Sequence, residues 1–355
     1  MRKDRSKAYR GVAFGWRTTQ DEFGSDLTDL KYGGTWVSQG TENLNSTRGS
    51  KKGVALSFDG SNTRAVIRSR LESLNSIPTI PAIIRPLLRY MEKPVDEMEV
   101  KRIVDMVSCD ESIAAQCLRM ANSALYFLSQ AVKTVHGAVI VLGLQRVREI
   151  LMACSLLNLL PKDQNLIPAL ALWQHSLGCA LLCRELARRI DYADPEKAYL
   201  AGLLHDLGEL VNLVVFREEA CAYLAIASAK QIPLYEAELA SLGFTHCDTG
   251  SVVAETWRLP YHLSEVIQFH HNVQQTKLYP DLVALVSLGD LLCRRNGLGY
   301  GYCEKTPLDP LEEVAWSVLS AESVKLARLG PARLVRELAA QLVEVRKQVQ
   351  SIFES

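Results

Sequence analysis

Long uninterrupted hydrophobic runs are missing from this 355-residue chain; no stretch of about 18 apolar residues occurs, which predicts no membrane-spanning helix. The first residues, MRKDRSKAYRGVAFGWRTTQ, are basic but lack the apolar core of a secretory signal. Paired cysteine spacing is missing too. The nine cysteines include no CxxC pair, and most fall in apolar helical stretches. That pattern excludes a disulfide framework and predicts free, buried thiols in a reducing cytoplasm. Net charge is also absent, because 40 Lys and Arg balance 40 Asp and Glu. Nothing global therefore selects nucleic acid or an anionic membrane as partner. Residues 1–70 hold 13 basic against 7 acidic side chains, but these are scattered, which argues against a nucleic-acid-binding arm.

What is present is helical periodicity. Residues 1 to about 65 are the exception: KYGGTWVSQGTENLNSTRGSKKG is rich in Gly, Ser, Thr and Asn, with too few aliphatics to offset its ordering entropy. We read 1–65 as a disordered, mildly basic extension. From near Arg64 onward apolar residues recur at helical spacing and nothing reads as a paired strand, so the fold class is all-α, a multi-helix bundle. Pro78 and Pro81 precede an apolar face of Ile83, Ile84, Leu87 and Leu88. Two amphipathic segments follow, VKRIVDMVS and SIAAQCLRMANSALY, the second with Ile113, Cys117, Met120 and Leu125 on one side. TVHGAVIVLGLQRVREILMACSLLNLL suits a helix buried on most sides, ended by Pro161-Lys162-Asp163. A second set of helices starts at Pro168. In it PEKAYLAGLLHDLGELVNLVVF and EAELASLGFTHCDTGSVVAETWRL each read as one helical segment. Gly143, Gly178, Gly202, Gly208 and Gly250 cost helix propensity, so they imply close helix approach or room for a bound group. The amphipathic C-terminal segment, within 301–355, is expected to pack back on the domain.

The histidines carry the chemistry. His136 and His262 stand apart, whereas His175, His205, His246, His270 and His271 all fall after residue 170 on predicted helices. Asp206 follows His205 directly, and Asp290 lies in SLGDLLCRR. Imidazole with carboxylate is a ligand set for Zn, Fe, Mn or Ni, and helices that each turn one ligand inward can build such a site. Leu203, Leu204 and Leu207 surround the doublet, so Asp206 is buried in apolar company. An unpartnered buried carboxylate costs several kcal/mol; either a cation or a hydrogen-bonded histidine relieves that cost. One such histidine alone reads as a core hydrogen-bonding residue. Five with two aspartates favour a metal.

In order, SIPTIPAII, DESIAAQCLRMANSALY and TVHGAVIVLGLQRVREI, then WQHS, AGLLHDLGEL, LGFTHCDTGSVVAETWRLP, IQFHH and SLGDLL, resemble the HDOD family of bacterial signalling domains, related to the HD phosphohydrolases. The resemblance covers about residues 71–300 of a domain expected at 66–300, with an N-terminal helical part at 66–165 and an HD-like part at 166–300. It implies that His175, His205, Asp206 and Asp290 ligate one divalent ion. His246, His270 and His271 match positions completing a two-metal site in the HD-GYP branch, which hydrolyses cyclic di-GMP; Fe, Mn or Zn is the implied metal. The chain departs from that branch in four places. HDLGE puts Glu209 where the branch has a phosphate-binding lysine. Asn272 follows the paired histidines, Ala171 replaces a carboxylate, and only Tyr300 and Tyr302 of GLGYGYC stand near the place of the GYP tripeptide. The expectation is a regulatory module that meets a signalling protein partner. The alternative is a phosphohydrolase acting on a nucleotide or cyclic dinucleotide, with Asp206 catalytic.

Overall fold

The computed structural model describes residues 60–73, 99–108, 111–157 apart from 124, 125 and 127, and 167–354 apart from 303, 306–310 and 312. Among them every regular element is a helix and no strand forms. The extension up to residue 59, the proline-led helix at Ile83–Leu88, Leu125 and the Pro161-Lys162-Asp163 break lie outside the described residues.

Helix α1 (Gly60–Ser73) begins inside the segment read as an extension. Ile67 and Leu71, one turn apart, are buried, and the Arg64 guanidinium donates to Ser251 Oγ at 2.6 Å. A first group follows: α2 (Val100–Ser108), α3 (Glu111–Ala121), α4 (Val135–Leu142) and α5 (Leu144–Leu157). The α3 face of Ile113, Cys117 and Met120 is buried against α5, as its spacing predicts. The apolar run read as one helix is cut at Gly143, whose φ of 83° lies in a region L side chains rarely adopt. Trp173 Nε1–H donates to the Ala153 carbonyl at 3.0 Å and ties this group to the next.

The second group is built on α6 (Ile167–Arg189), which packs on α7 (Pro195–Leu204), α13 (Pro280–Arg295) and α16 (Pro331–Glu354). Between them run α8 (Leu207–Val215), α9 (Arg217–Lys230), α10 (Leu234–Leu242), α11 (His246–Trp257) and α12 (Tyr261–Phe269), with α14 (Val314–Glu322) and α15 (Val324–Leu329) leading to α16. The α16 stripe Leu334, Leu338, Leu342, Val345 and Val349 recurs every three or four residues and is buried, as an amphipathic helix requires. Pro195–Val215 is apolar enough to cross a membrane by composition, but 94% of its most apolar window is buried inside the protein.

Two segments read as single helices are each two. PEKAYLAGLLHDLGELVNLVVF breaks at His205-Asp206, where Asp206 adopts φ −95°, ψ 22°. The physical reason is a change of partner: α7 lies on α6, whereas α8 lies on α11, so the axis must turn. EAELASLGFTHCDTGSVVAETWRL breaks at Gly243, with φ 76°, and restarts with a Thr245–Asp248 capping box. Of the five clustered histidines only His175 therefore lies within a helix body. His246 is the first residue of α11, His205 and His270 sit at C-caps, and His271 lies in the following turn. The glycines serve close approach. A Cβ on Gly208 would lie 1.8 Å from the His246 carbonyl oxygen, and one on Gly202 would lie 3.1 Å from Ala180 Cα.

Candidate metal centre

All seven side chains singled out from the sequence meet in one buried cluster. His175 Nε2 lies 3.3 Å from His205 Nε2, 3.4 Å from Asp206 Oδ2 and 3.2 Å from Asp290 Oδ1. His205 Nε2 is 3.3 Å from Asp206 Oδ2. On the other side of the same carboxylate, Asp206 Oδ1 stands 3.4 Å from His246 Nε2 and 3.5 Å from His270 Nε2, and these two nitrogens are 3.3 Å apart. His271 is at the periphery, its Nδ1 3.7 Å from Asp290 Oδ2. Asp206 thus presents one oxygen to each of two histidine pairs.

The outer nitrogens fix the tautomers. His175 Nδ1–H donates to the Leu298 carbonyl at 2.6 Å, His205 Nδ1–H to the Gly202 carbonyl at 2.7 Å, and His270 Nδ1–H to the Val266 carbonyl at 3.1 Å. A carbonyl can only accept, so each ring carries its proton outward. His246 Nδ1–H donates to the Glu238 carboxylate at 2.8 Å, and Glu238 also accepts the His246 backbone N–H at 2.8 Å. In the neutral state all four rings point Nε2 lone pairs inward. Lone pairs 3.3 Å apart repel one another unless a proton or a cation lies between them.

Burial alone would lower the basicity of these rings, but the carboxylates outweigh it. The hydrogen bond that His175 donates to Asp290 and the charge of Asp206 bring His175 up to about 9. His270, beside Cys247 and Asp206, rises to about 10. Asp206, despite its burial, is held well below the usual carboxylate range by His205, His270 and His246. His271 moves the opposite way, kept neutral by burial and by the neighbouring His270.

Several neighbours were not read from the sequence. Tyr300 O–H donates to Asp206 Oδ2 at 2.6 Å, and its ring centroid is 4.9 Å from that of His175. Arg294 Nε–H donates to Asp290 Oδ1 at 2.8 Å, and Arg294 also pairs with Glu304. Cys247 places Sγ 3.8 Å and 4.0 Å from the two ring nitrogens of His270. Among the described cysteines all seven are free and five are buried, as expected for most of them, whereas Cys221 is exposed and Cys247 half-buried.

Glu209 is placed differently from its expected role. Its side chain is buried, accepts the Tyr223 O–H at 2.7 Å and lies beside Glu238. Burial and the Glu238 charge raise its carboxyl well above the usual range.

The cluster fits a divalent ion. A tetrahedral ion with nitrogens at about 2.0–2.1 Å separates its ligands by about 3.3 Å, the spacing found within both histidine pairs. Asp206 Oδ1 and Asp290 Oδ2 are buried and accept no hydrogen bond, which leaves lone pairs for a cation. Outer hydrogen bonds that fix each ring are the usual companions of metal-bound histidine. A small cleft is lined by Leu172, Trp173, Ser176, Leu203, Leu204, Leu207 and Leu210 together with Asp206.

The chain belongs to the HDOD family: the HDOD domain profile matches residues 77–273. The structure resembles that of an HDOD domain protein of unknown function from Geobacter sulfurreducens, with TM-score 0.70 and 26% identity over 83% of this chain and 99% of that one. It also resembles a protein from Shewanella amazonensis provisionally described as a phosphohydrolase, with TM-score 0.56 and 26% identity over 79% and 98%. A protein from Marinobacter aquaeolei, provisionally described as a signal transduction protein, shares the fold at TM-score 0.63 and 22% identity over 83% and 68%. An uncharacterised protein from Treponema pallidum (strain Nichols) is 24% identical over 65% of this chain and 45% of its own length. The chain therefore spans under half of that curated relative.

Proposed function

We propose that this protein is a regulatory signalling module that carries a divalent metal centre of HD type and meets a partner protein through its helical body. The observation that carries the metal is the set of four inward Nε2 atoms around a carboxylate whose two oxygens face different histidine pairs. His175, His205, Asp206 and Asp290 would hold one ion; His246, His270 and Asp206, with His271 beside them, would hold a second. Such an ion supplies charge neutralisation and Lewis acidity. Fe, Mn and Zn all suit imidazole with carboxylate.

The regulatory reading rests on the lining of the small cleft that Asp206 shares. None of the residues lining it is Lys or Arg, so a phosphate arriving there meets leucines. Arg294, the cation beside the cluster, is already held by Asp290 and Glu304. The phosphohydrolase reading, on a nucleotide or cyclic dinucleotide, is favoured by the two-sided donor set. A panel of phosphate esters, nucleotides and cyclic dinucleotides assayed with Mn or Fe decides between them. The regulatory reading expects no hydrolysis above that of the Asp206→Ala variant, and turnover lost in that variant would overturn it.

Two further outcomes follow from the surroundings. Glu238→Gln removes the charge behind His246, and metal affinity measured by chelator competition should fall roughly 10-fold. Metal uptake should also strengthen with pH. In the metal-free protein His175 and His270 keep their protons up to about 9 and about 10, and an ion must displace them. Each displaced proton contributes about tenfold in affinity per pH unit below those values. Titrations at pH 6, 7 and 8 should show steady tightening; a flat profile would remove the proton competition.

A further inference from the structure

We propose that Cys247 is a thiolate ligand of the second metal position, making that position a mixed nitrogen–sulfur site that selects Zn or Fe over Mn. The inference rests on the metal reading above and narrows it. His246 and Cys247 are the first two residues of α11, and they flank His270 from the same helix end. His246, Cys247, His270 and His271 can each offer a ligand atom such that all of these atoms lie within 4.8 Å of one another. A tetrahedral ion with nitrogen at about 2.05 Å and sulfur at about 2.3 Å separates the two by about 3.6 Å. Cys247 Sγ is 3.8 Å from His270 Nδ1 and 4.0 Å from Nε2, so the thiol reaches an ion held on Nε2 by turning about its Cα–Cβ bond.

A second observation points to the same spot. Asp206 Oδ1, buried and accepting no hydrogen bond, faces His246 and His270 at 3.4 Å and 3.5 Å. Its unused lone pair faces His246, the neighbour of Cys247 in sequence, and His270, which the thiol adjoins. Soft thiolate shifts preference away from Mn and Mg, which favour oxygen donors. On binding, the ion takes the sulfur lone pair and the thiol proton leaves to solvent, so the step is neither oxidation nor reduction.

The test uses cobalt(II) in the full-length chain. Cobalt should give visible ligand-field bands together with a near-ultraviolet thiolate-to-cobalt charge-transfer band. C247S should keep the ligand-field bands and lose the charge-transfer band, and its relative retention of Mn over Zn should rise by about tenfold. Circular dichroism verifies that C247S is folded, with C247A as the second variant. Ligand-field bands without charge transfer in the unmodified chain would overturn the thiolate while leaving the metal centre intact. Charge transfer persisting in both cysteine variants would overturn it also, assigning the sulfur elsewhere. Failure to take up cobalt or zinc at all would overturn both readings.

Discussion

Asp206→Asn is expected to strip the protein of most of its metal and to lower its melting temperature by roughly 6 °C or more. The carboxylate faces both histidine pairs, so one substitution removes an oxygen ligand from each. It also removes the counter-charge that balances four buried imidazoles, and breaking a buried charge pair costs about 3 kcal/mol or more. The two contributions separate in a chelator. Adding EDTA should lower the melting temperature of the unmodified chain and leave that of Asp206→Asn unchanged. Equal sensitivity of the two proteins to EDTA would mean that Asp206 acts through hydrogen bonding alone.

Gly208→Ala is expected to be the most damaging methyl group that can be added near the site. Its Cβ would lie 1.8 Å from the His246 carbonyl oxygen and 2.6 Å from the Gly250 nitrogen, both backbone atoms of α11. Helices α8 and α11 would have to separate, which costs about 3 kcal/mol or more and moves His246 away from Asp206. Gly178→Ala makes the contrast. Its Cβ would meet the flexible tip of Leu298 at 3.0 Å, which can turn aside, so the loss should stay within about 1 kcal/mol. Denaturant unfolding of both variants measures the difference; similar losses would contradict the close-approach account of α8 and α11.

The fold class was legible because apolar residues recur at helical spacing from Arg64 onward and the structure contains helices throughout. The cluster was legible because five histidines and two aspartates in apolar surroundings are unusual. The helix breaks that assemble it were not. Leu203, Leu204, Leu207 and Leu210 stay apolar across His205-Asp206, since both α7 and α8 are buried, and periodicity alone cannot show that they are buried against different partners. Gly243 followed by Thr245 and Asp248 was a readable stop and start that the continuous apolar spacing concealed. Arg294 could have been found, standing one helical turn after Asp290. Tyr300 was noted only for its place in GLGYGYC, and its bond to Asp206 is made from the loop after α13, where helical spacing gives no register. Glu209 shows the opposite failure: its position in HDLGE was read against a phosphate-binding lysine, whereas its side chain is buried beside Glu238 and accepts the Tyr223 O–H.

The central claim is that the four inward-facing histidines and two aspartates hold divalent metal. Elemental analysis of the full chain, purified without added metal or chelator, tests it most directly. The account predicts roughly one to two equivalents of Zn, Fe or Mn per chain, lost in Asp206→Asn, as a buried multi-ligand site binds tightly. Less than roughly a tenth of an equivalent in the unmodified chain, unchanged after incubation with Zn or Fe, would contradict it and leave the cluster as a buried hydrogen-bond network.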